Sequence, residues 1–315
     1  MDHQFSYEPS SDTYDDRGLA HGIPLRVHLE GHREVKGSLR AQADWNHLVS
    51  PIKSYNGGLG PKYSFMQVTV PGCLPERLEI ISYANEFAFL YDGGYLSYSL
   101  SLLLLFITRE IRIRRPYSRI GRAAIIINIF LYNFITCESA TGTSLSGNGR
   151  NRQAEGYHLD ESLVNLPAVG LSQSRVSGAD AQIWFGTLTF GMALTIPEEE
   201  LNICMELARP GYAAISLTND LFSWPKERRD AVQARVEYVF NAVWIIMEEE
   251  GLPETAAMQV CEAEIRRYIA EYEGIVRKAH RQKQLSQDTL AYLDAVRYSH
   301  VGNLVWSIYC PRYRM

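Results

Sequence analysis

The chain has 315 residues, 46% of them hydrophobic and 21% charged, with a formal net charge of −5 and a pI near 5.9. That supplies apolar material for one large core, and the acidic balance argues against a nucleic-acid partner, which calls for a basic excess. The five cysteines (Cys73, Cys137, Cys204, Cys261, Cys310) are scattered without a CxxC pair, which suits neither a zinc site nor a disulfide framework and reads as reduced thiols inside a cell.

The start, Met1-Asp2-His3-Gln4, lacks the basic and apolar regions of a secretory leader. No stretch reaches the roughly 18 continuous apolar residues of a membrane span. The expectation is a cytoplasmic protein with no membrane span. Residues 1–62 are polar and rich in Gly, Pro and Asp, which predicts turns and short helices. A helix is predicted from Pro75, a good first-turn residue, through Leu78, Ile81, Ala84, Phe87 and Leu90 at helical spacing, with Gly93-Gly94 as its stop.

Residues 95–107 are almost wholly apolar, and six arginines follow (Arg109, Arg112, Arg114, Arg115, Arg119, Arg122). A second apolar run covers residues 123–135, and residues 139–151 are rich in Ser, Thr, Gly and Asn. Neither run has a polar face, so neither reads as an ordinary amphipathic element. The arginine cluster also admits a membrane-surface or nucleic-acid reading, to which the acidic chain gives little weight. From about Gln182 helical patterning returns. Val232, Val236, Val239, Val243 and Ile246 predict one helix ending at Glu248-Glu249-Glu250-Gly251. Ile265, Tyr268, Ile269, Tyr272 and Val276 define another, and Tyr292, Val296 and His300 begin a last one running to Cys310. With sparse strand alternation and no internal repeat, the fold is read as an all-α bundle forming a single domain over residues 1–315.

Asn219, Ser223 and Glu227 recur every four residues, so on a helix they form one stripe. Amide oxygen, hydroxyl and carboxylate are hard ligands suited to Mg²⁺, and Lys226 adds a cation for a diphosphate oxygen. Taken as spacing alone, the stripe fits a solvated polar helix face equally well.

The whole string, Asn219-Asp220-Leu221-Phe222-Ser223-Trp224-Pro225-Lys226-Glu227, resembles the second metal motif of class I terpene cyclases. Its filling is typical of the fungal bifunctional family that joins a cyclase to a prenyltransferase, the fusicoccadiene and ophiobolin F synthase group. Three further stretches are similar to that family. Residues 302–313 resemble the end of its cyclase domain, where an Arg-Tyr pair, here Arg312 and Tyr313, binds diphosphate. Residues 184–200 resemble the helix pair before the metal motif. Residues 71–90 resemble the approach to the first metal motif, and together the family-like parts cover residues 7–92 and 182–313.

The resemblance implies a class I terpene synthase bundle around a central cavity, in which two acidic motifs hold three Mg²⁺ ions on the substrate's diphosphate. It implies ionisation and cyclisation of a linear prenyl diphosphate, geranylgeranyl diphosphate favoured and geranylfarnesyl diphosphate next, to a polycyclic terpene of fungal secondary metabolism. Aromatic rings would stabilise the carbocation, and Phe65, Phe89 and Trp306 are the candidates, with plain core packing the alternative for each. Since the chain stops two residues after Tyr313, the expectation is that a separate prenyltransferase supplies the substrate.

The sequence also departs from the family. Asp92 stands where the first motif begins, but Gly93 and Leu96 occupy its other acidic positions, which weakens the ligand set on that side. Arg175 keeps the register of the family's diphosphate sensor relative to Trp184, while Gly178-Ala179-Asp180 replaces the expected Asp-small-Gly. Pro225 inside the motif removes a helical hydrogen bond and threatens a kink that would move Glu227 out of line. Residues 93–180 do not resemble the family and read as a retained intron or faulty gene model. A catalytically inactive remnant is the competing functional reading.

Overall fold

The computed structural model describes residues 3–55, 57–92 and 178–314. The apolar runs, the arginine cluster, Gly93, Leu96 and Arg175 lie outside the described residues, as does almost all of the 93–180 stretch. A two-residue antiparallel pair, β1 (Ser6–Tyr7) with β2 (Val27–His28), precedes eight helices among the described residues. These are α1 (Gly31–Leu48), α2 (Phe65–Thr69), α3 (Pro75–Asp92), α4 (Gly178–Gly191), α5 (Leu201–Ala234), α6 (Ala242–Glu250), α7 (Glu254–Gln282) and α8 (Gln287–Tyr309). The all-α expectation holds.

α8 lies at the centre. Eighteen of its residues, from Thr289 to Ile308, are buried, as expected of a helix without a polar face. Four of its polar side chains bond main-chain carbonyls of the elements around it. Ser299 Oγ donates to Thr69 O (2.7 Å), His300 Nε2 to Leu19 O (3.0 Å), Asn303 Nδ2 to Ile215 O (3.2 Å) and Trp306 Nε1 to Gly58 O (2.8 Å). Burial lowers the pKa of His300 to about 4, so the ring is neutral and donates from one nitrogen only. α5 and α7 pack beside α8, and α2 crosses it closely.

The N-terminal 62 residues hold more order than their composition predicts. α1 runs for 18 residues, and its buried face is Glu34, Gly37, Ser38, Ala41 and Trp45. That stripe has helical spacing but is built from small and polar residues, so apolar periodicity does not reveal it. The small residues serve close packing: a Cβ on Gly37 would overlap the Glu79 carbonyl of α3. Lys36 and Arg40 pair with Glu79 (2.8 and 3.7 Å), and Tyr83 Oη donates to Asp44 (2.8 Å).

The single helix predicted across residues 232–250 is two. α5 ends when Arg235 takes a left-handed conformation (φ 57°), and α6 restarts after Asn241, whose side chain accepts from Val243 N. Val232 and Val236 are 71% and 52% exposed, so the apolar pattern there bridges two elements with different faces. Gly251, also left-handed (φ 63°), ends α6 where the sequence reading places the stop. α8 begins at Gln287, five residues before Tyr292. There Glu200 binds the backbone and hydroxyl of the cap residue Ser286. The four described cysteines, Cys73, Cys204, Cys261 and Cys310, are buried and carry no disulfide.

Two outcomes test this packing. A Cβ at Gly302 would overlap the Val68 carbonyl and the Thr69 Cα. Because those are backbone atoms, Gly302→Ala should lower stability by about 1–3 kcal/mol in urea unfolding. The second concerns the fully buried Glu34, which accepts from Met66 N and Gln67 N at the start of α2. Burial outweighs those two donors and pushes its pKa from 4.5 up to about 8. The folded chain then keeps a proton that the unfolded chain releases, so stability falls as pH rises through this window. The stability of the native chain relative to Glu34→Gln should drop between pH 5 and pH 8, on the order of 1 kcal/mol or more, in unfolding curves at both pH values.

Candidate active site

The helix carrying the predicted stripe does not break at Pro225. α5 is a 34-residue helix that contains both Pro210 and Pro225 and continues to Ala234. Asn219 and Glu227 are half-buried on it and Ser223 is buried. One side chain shows that Ser223 and Glu227 share a side: Asn241 Nδ2 lies 3.4 Å from Ser223 Oγ and 3.0 Å from Glu227 Oε2. The removal of one N–H at Pro225 leaves the register of the stripe intact.

At the upper end of the stripe, Asn219 Nδ2 donates to Tyr313 Oη (2.8 Å), so its carbonyl Oδ1 is the atom that could meet a cation. Tyr313 belongs to the short turn Pro311–Tyr313 that follows α8. The preceding Arg312 is buried, with its guanidinium 5.1 Å from the Phe89 ring and Nη1 at 3.5 Å from Phe89 O. Phe89 is in the last turn of α3, three residues before Asp92. A cation beside that helix's C-terminal carbonyls is favourably placed in its dipole. The Arg312-Tyr313 pair thus ties the end of α3 to the stripe on α5. Asp92 closes α3.

Lys226 makes a 2.8 Å ion pair with Asp230, one turn along α5. Its ammonium is engaged along its own helix in this structure, and neither Asn219 nor Tyr313 is among its bonded partners.

Phe65, Phe89 and Trp306 come together. Phe65 meets Trp306 edge-on at 4.8 Å and Phe89 at 5.2 Å, and Phe89 stacks on Trp306 at 5.4 Å. Two rings outside the predicted lining complete the group: Trp184 lies 5.9 Å from Phe65, and Tyr313 lies 5.6 Å from Trp306. Trp306 is fully buried, so it forms the base on which the others stand, while Phe89 and Trp184 are half-buried. The base is fixed by Gly58, whose carbonyl accepts from Trp306 Nε1 and Phe65 N. Gly58 N donates to the buried Glu86 (2.9 Å), whose other oxygen accepts from Gln42 (2.9 Å), and burial raises that carboxyl's pKa.

Sequence reasoning missed Asn241 and the carboxylate of Asp220. Asp220 Oδ2 accepts from Ala242 N (2.8 Å), so a motif residue fastens the start of α6. The signal was present as an Asn directly before the apolar run Ala242-Val243-Trp244, a helix-start pattern. Reading one continuous helix there hides it.

The donor set of the stripe suits a hard divalent cation: amide oxygen, hydroxyl and carboxylate, with the amide and carboxylate orientations each fixed by a hydrogen bond. Among the described residues no group of three or more His, Cys, Asp and Glu side chains gathers to hold a metal. No described helix is long and apolar enough to cross a membrane.

Residues 172–271 match terpene synthase family 2, C-terminal metal binding. The match takes in Arg175 and the whole stripe. The chain is 37% identical to a bifunctional type I diterpene synthase of Aspergillus flavipes, over 99% of this chain and 42% of that protein. It is 34% identical to fusicoccadiene synthase of Phomopsis amygdali, over 99% of this chain and 45% of the relative. An ophiobolin F synthase of Cochliobolus heterostrophus is 33% identical over 100% of this chain and 44% of its own length. The chain therefore spans less than half the length of these curated relatives. In fold it is similar to aristolochene synthase from Penicillium roqueforti (TM-score 0.55, 18% identity, 88% of this chain and 94% of the other). It is likewise similar to cucumene synthase (TM-score 0.59, 13% identity, 91% and 98%). The stripe, the fold and these relatives agree: the chain is similar to terpene synthases, and residues 172–271 match the C-terminal metal-binding model of terpene synthase family 2.

Proposed function

We propose that this chain ionises and cyclises a linear prenyl diphosphate, with Mg²⁺ held by the oxygens of Asn219, Ser223 and Glu227 on α5 and by Asp92 at the end of α3. The observation that carries the reading is the tie between those two helices: Tyr313 bonds the first residue of the stripe while Arg312 sits on the last turn of α3. When bound, the metal supplies Lewis-acid stabilisation of the departing diphosphate. The chain's own residues do the rest. Arg312 provides fixed positive charge between the two helices, with Lys226 and Arg175 as further diphosphate contacts, and Tyr313 holds the Asn219 amide with its oxygen presented. A preorganised cation and oriented dipoles cost no reorganisation as the leaving group gathers charge. Phe89, Phe65 and Trp184 over the Trp306 base offer ring faces to an allylic cation, and their mutual packing keeps water from it.

Geranylgeranyl diphosphate is the favoured substrate and geranylfarnesyl diphosphate the next, a choice supported by relatives named as diterpene and sesterterpene synthases. A prenyltransferase would supply either one. One observation favours a second reading, an inactive remnant: Gly93 and Leu96 stand where the first motif has acids, which leaves Asp92 as the only carboxylate there. The 93–180 stretch is proposed to derive from a retained intron or faulty gene model, and a transcript encoding it continuously would refute that.

Incubating the purified chain with geranylgeranyl diphosphate and Mg²⁺ should release diphosphate and a hydrocarbon, followed by a coupled diphosphate assay and gas chromatography. Chelation with EDTA should abolish both. Glu227→Gln should lower kcat/KM by about 100-fold through loss of a charged ligand, and Tyr313→Phe by roughly tenfold through a loosened Asn219. A folded native chain that releases no diphosphate from either substrate would decide for the inactive remnant.

A further inference from the structure

Asn241 is fully buried at the start of α6, opposite the stripe. Both of its side-chain polar atoms face fixed partners. Its Oδ1 accepts from Val243 N (2.8 Å), which caps α6. The two amide hydrogens of Nδ2 go to Asp220 O (2.9 Å) and Glu227 Oε2 (3.0 Å), with Ser223 Oγ beside them at 3.4 Å. Asp220 closes the loop from the other side, because its carboxylate accepts from Ala242 N (2.8 Å). A helix cap needs only the Oδ1 acceptor. The Nδ2 donor reaches back across 14 residues of sequence to the one carboxylate of the stripe.

We propose that Asn241 is a positioning residue for the metal site, which orients the Glu227 carboxylate, and Ser223 beside it, toward a divalent cation. The proposal rests on the assignment of the stripe as a metal site. The chemistry follows from the bond itself. A glutamate side chain at a half-buried site has three rotatable bonds, and ordering it at the moment of binding weakens affinity. A donor that holds one oxygen in advance removes that cost and directs the other oxygen away from itself. Partners of this kind set metal affinity, and their loss costs about 10–100-fold.

The test separates the cap from the donor. Asn241→Ser keeps a good cap residue but is too short to reach Glu227. Asn241→Thr serves if the first variant does not fold, since the extended backbone at this position (φ −145°, ψ 140°) suits a β-branched residue. Ser286→Ala, which removes the cap of α8 and has no bond to the stripe, controls for lost stability. Mn²⁺ binding, read by electron paramagnetic resonance in the presence of inorganic diphosphate, needs no turnover. The native chain should bind Mn²⁺, the Asn241 variant about tenfold or more weakly, and Ser286→Ala as the native chain does. Thermal melts should place the Asn241 and Ser286 variants at similar losses of stability. Native Mn²⁺ binding with an Asn241 variant within twofold of it would overturn this proposal alone. A folded native chain that binds no Mn²⁺ would overturn the metal-site reading itself and this inference with it. Failure of both Asn241 variants to fold would assign the amide to the fold and overturn the positioning role.

Discussion

The burial of α8 on every side is the constraint from which the rest of the arrangement follows. A helix without a solvent face must satisfy each polar side chain inside the protein. Here Ser299, His300, Asn303 and Trp306 reach, in order, to α2, the N-terminal segment, α5 and the loop at Gly58. These four bonds fix where the surrounding elements sit along α8. They also fix where α8 ends, and the turn after it delivers Arg312 and Tyr313 to the space between α3 and α5.

The two sides of the proposed site are unequally built. On α5 each end of the stripe has a fixed partner: Tyr313 for Asn219, and Asn241 for Glu227. Those partners come from the turn after α8 and the cap of α6, so the stripe is held by elements far away in sequence. On α3 the sequence offers Asp92 alone. The asymmetry makes α5 the side that dominates ion binding in the proposed mechanism, with Arg312 supplying part of the positive charge near α3.

Much of this was legible in the chain. Pro75, the Ile265 to Val276 face and the Tyr292-Val296-His300 face mark helices because their buried positions are large and apolar. α1 was not legible, because Gly37, Ser38 and Ala41 give close packing without an apolar signal. The Val232 to Ile246 pattern misled for the opposite reason: apolar residues at helical spacing straddle a left-handed residue and a cap. At the site, the stripe and the Arg-Tyr pair could be read from motif chemistry. For Phe65, Phe89 and Trp306 the sequence offers only their ring type, and the contribution of Trp184 and Asn241 depends on contacts that no local pattern encodes.

The four bonds from Ser299, His300, Asn303 and Trp306 have one property in common, which is that each acceptor is a main-chain carbonyl. A carbonyl is present whatever side chain its residue carries, so these anchors are indifferent to substitution in the elements they hold. The donors on α8 are constrained while the partners at Leu19, Gly58, Thr69 and Ile215 can change identity as packing allows. Such an architecture drifts readily in sequence without losing its layout.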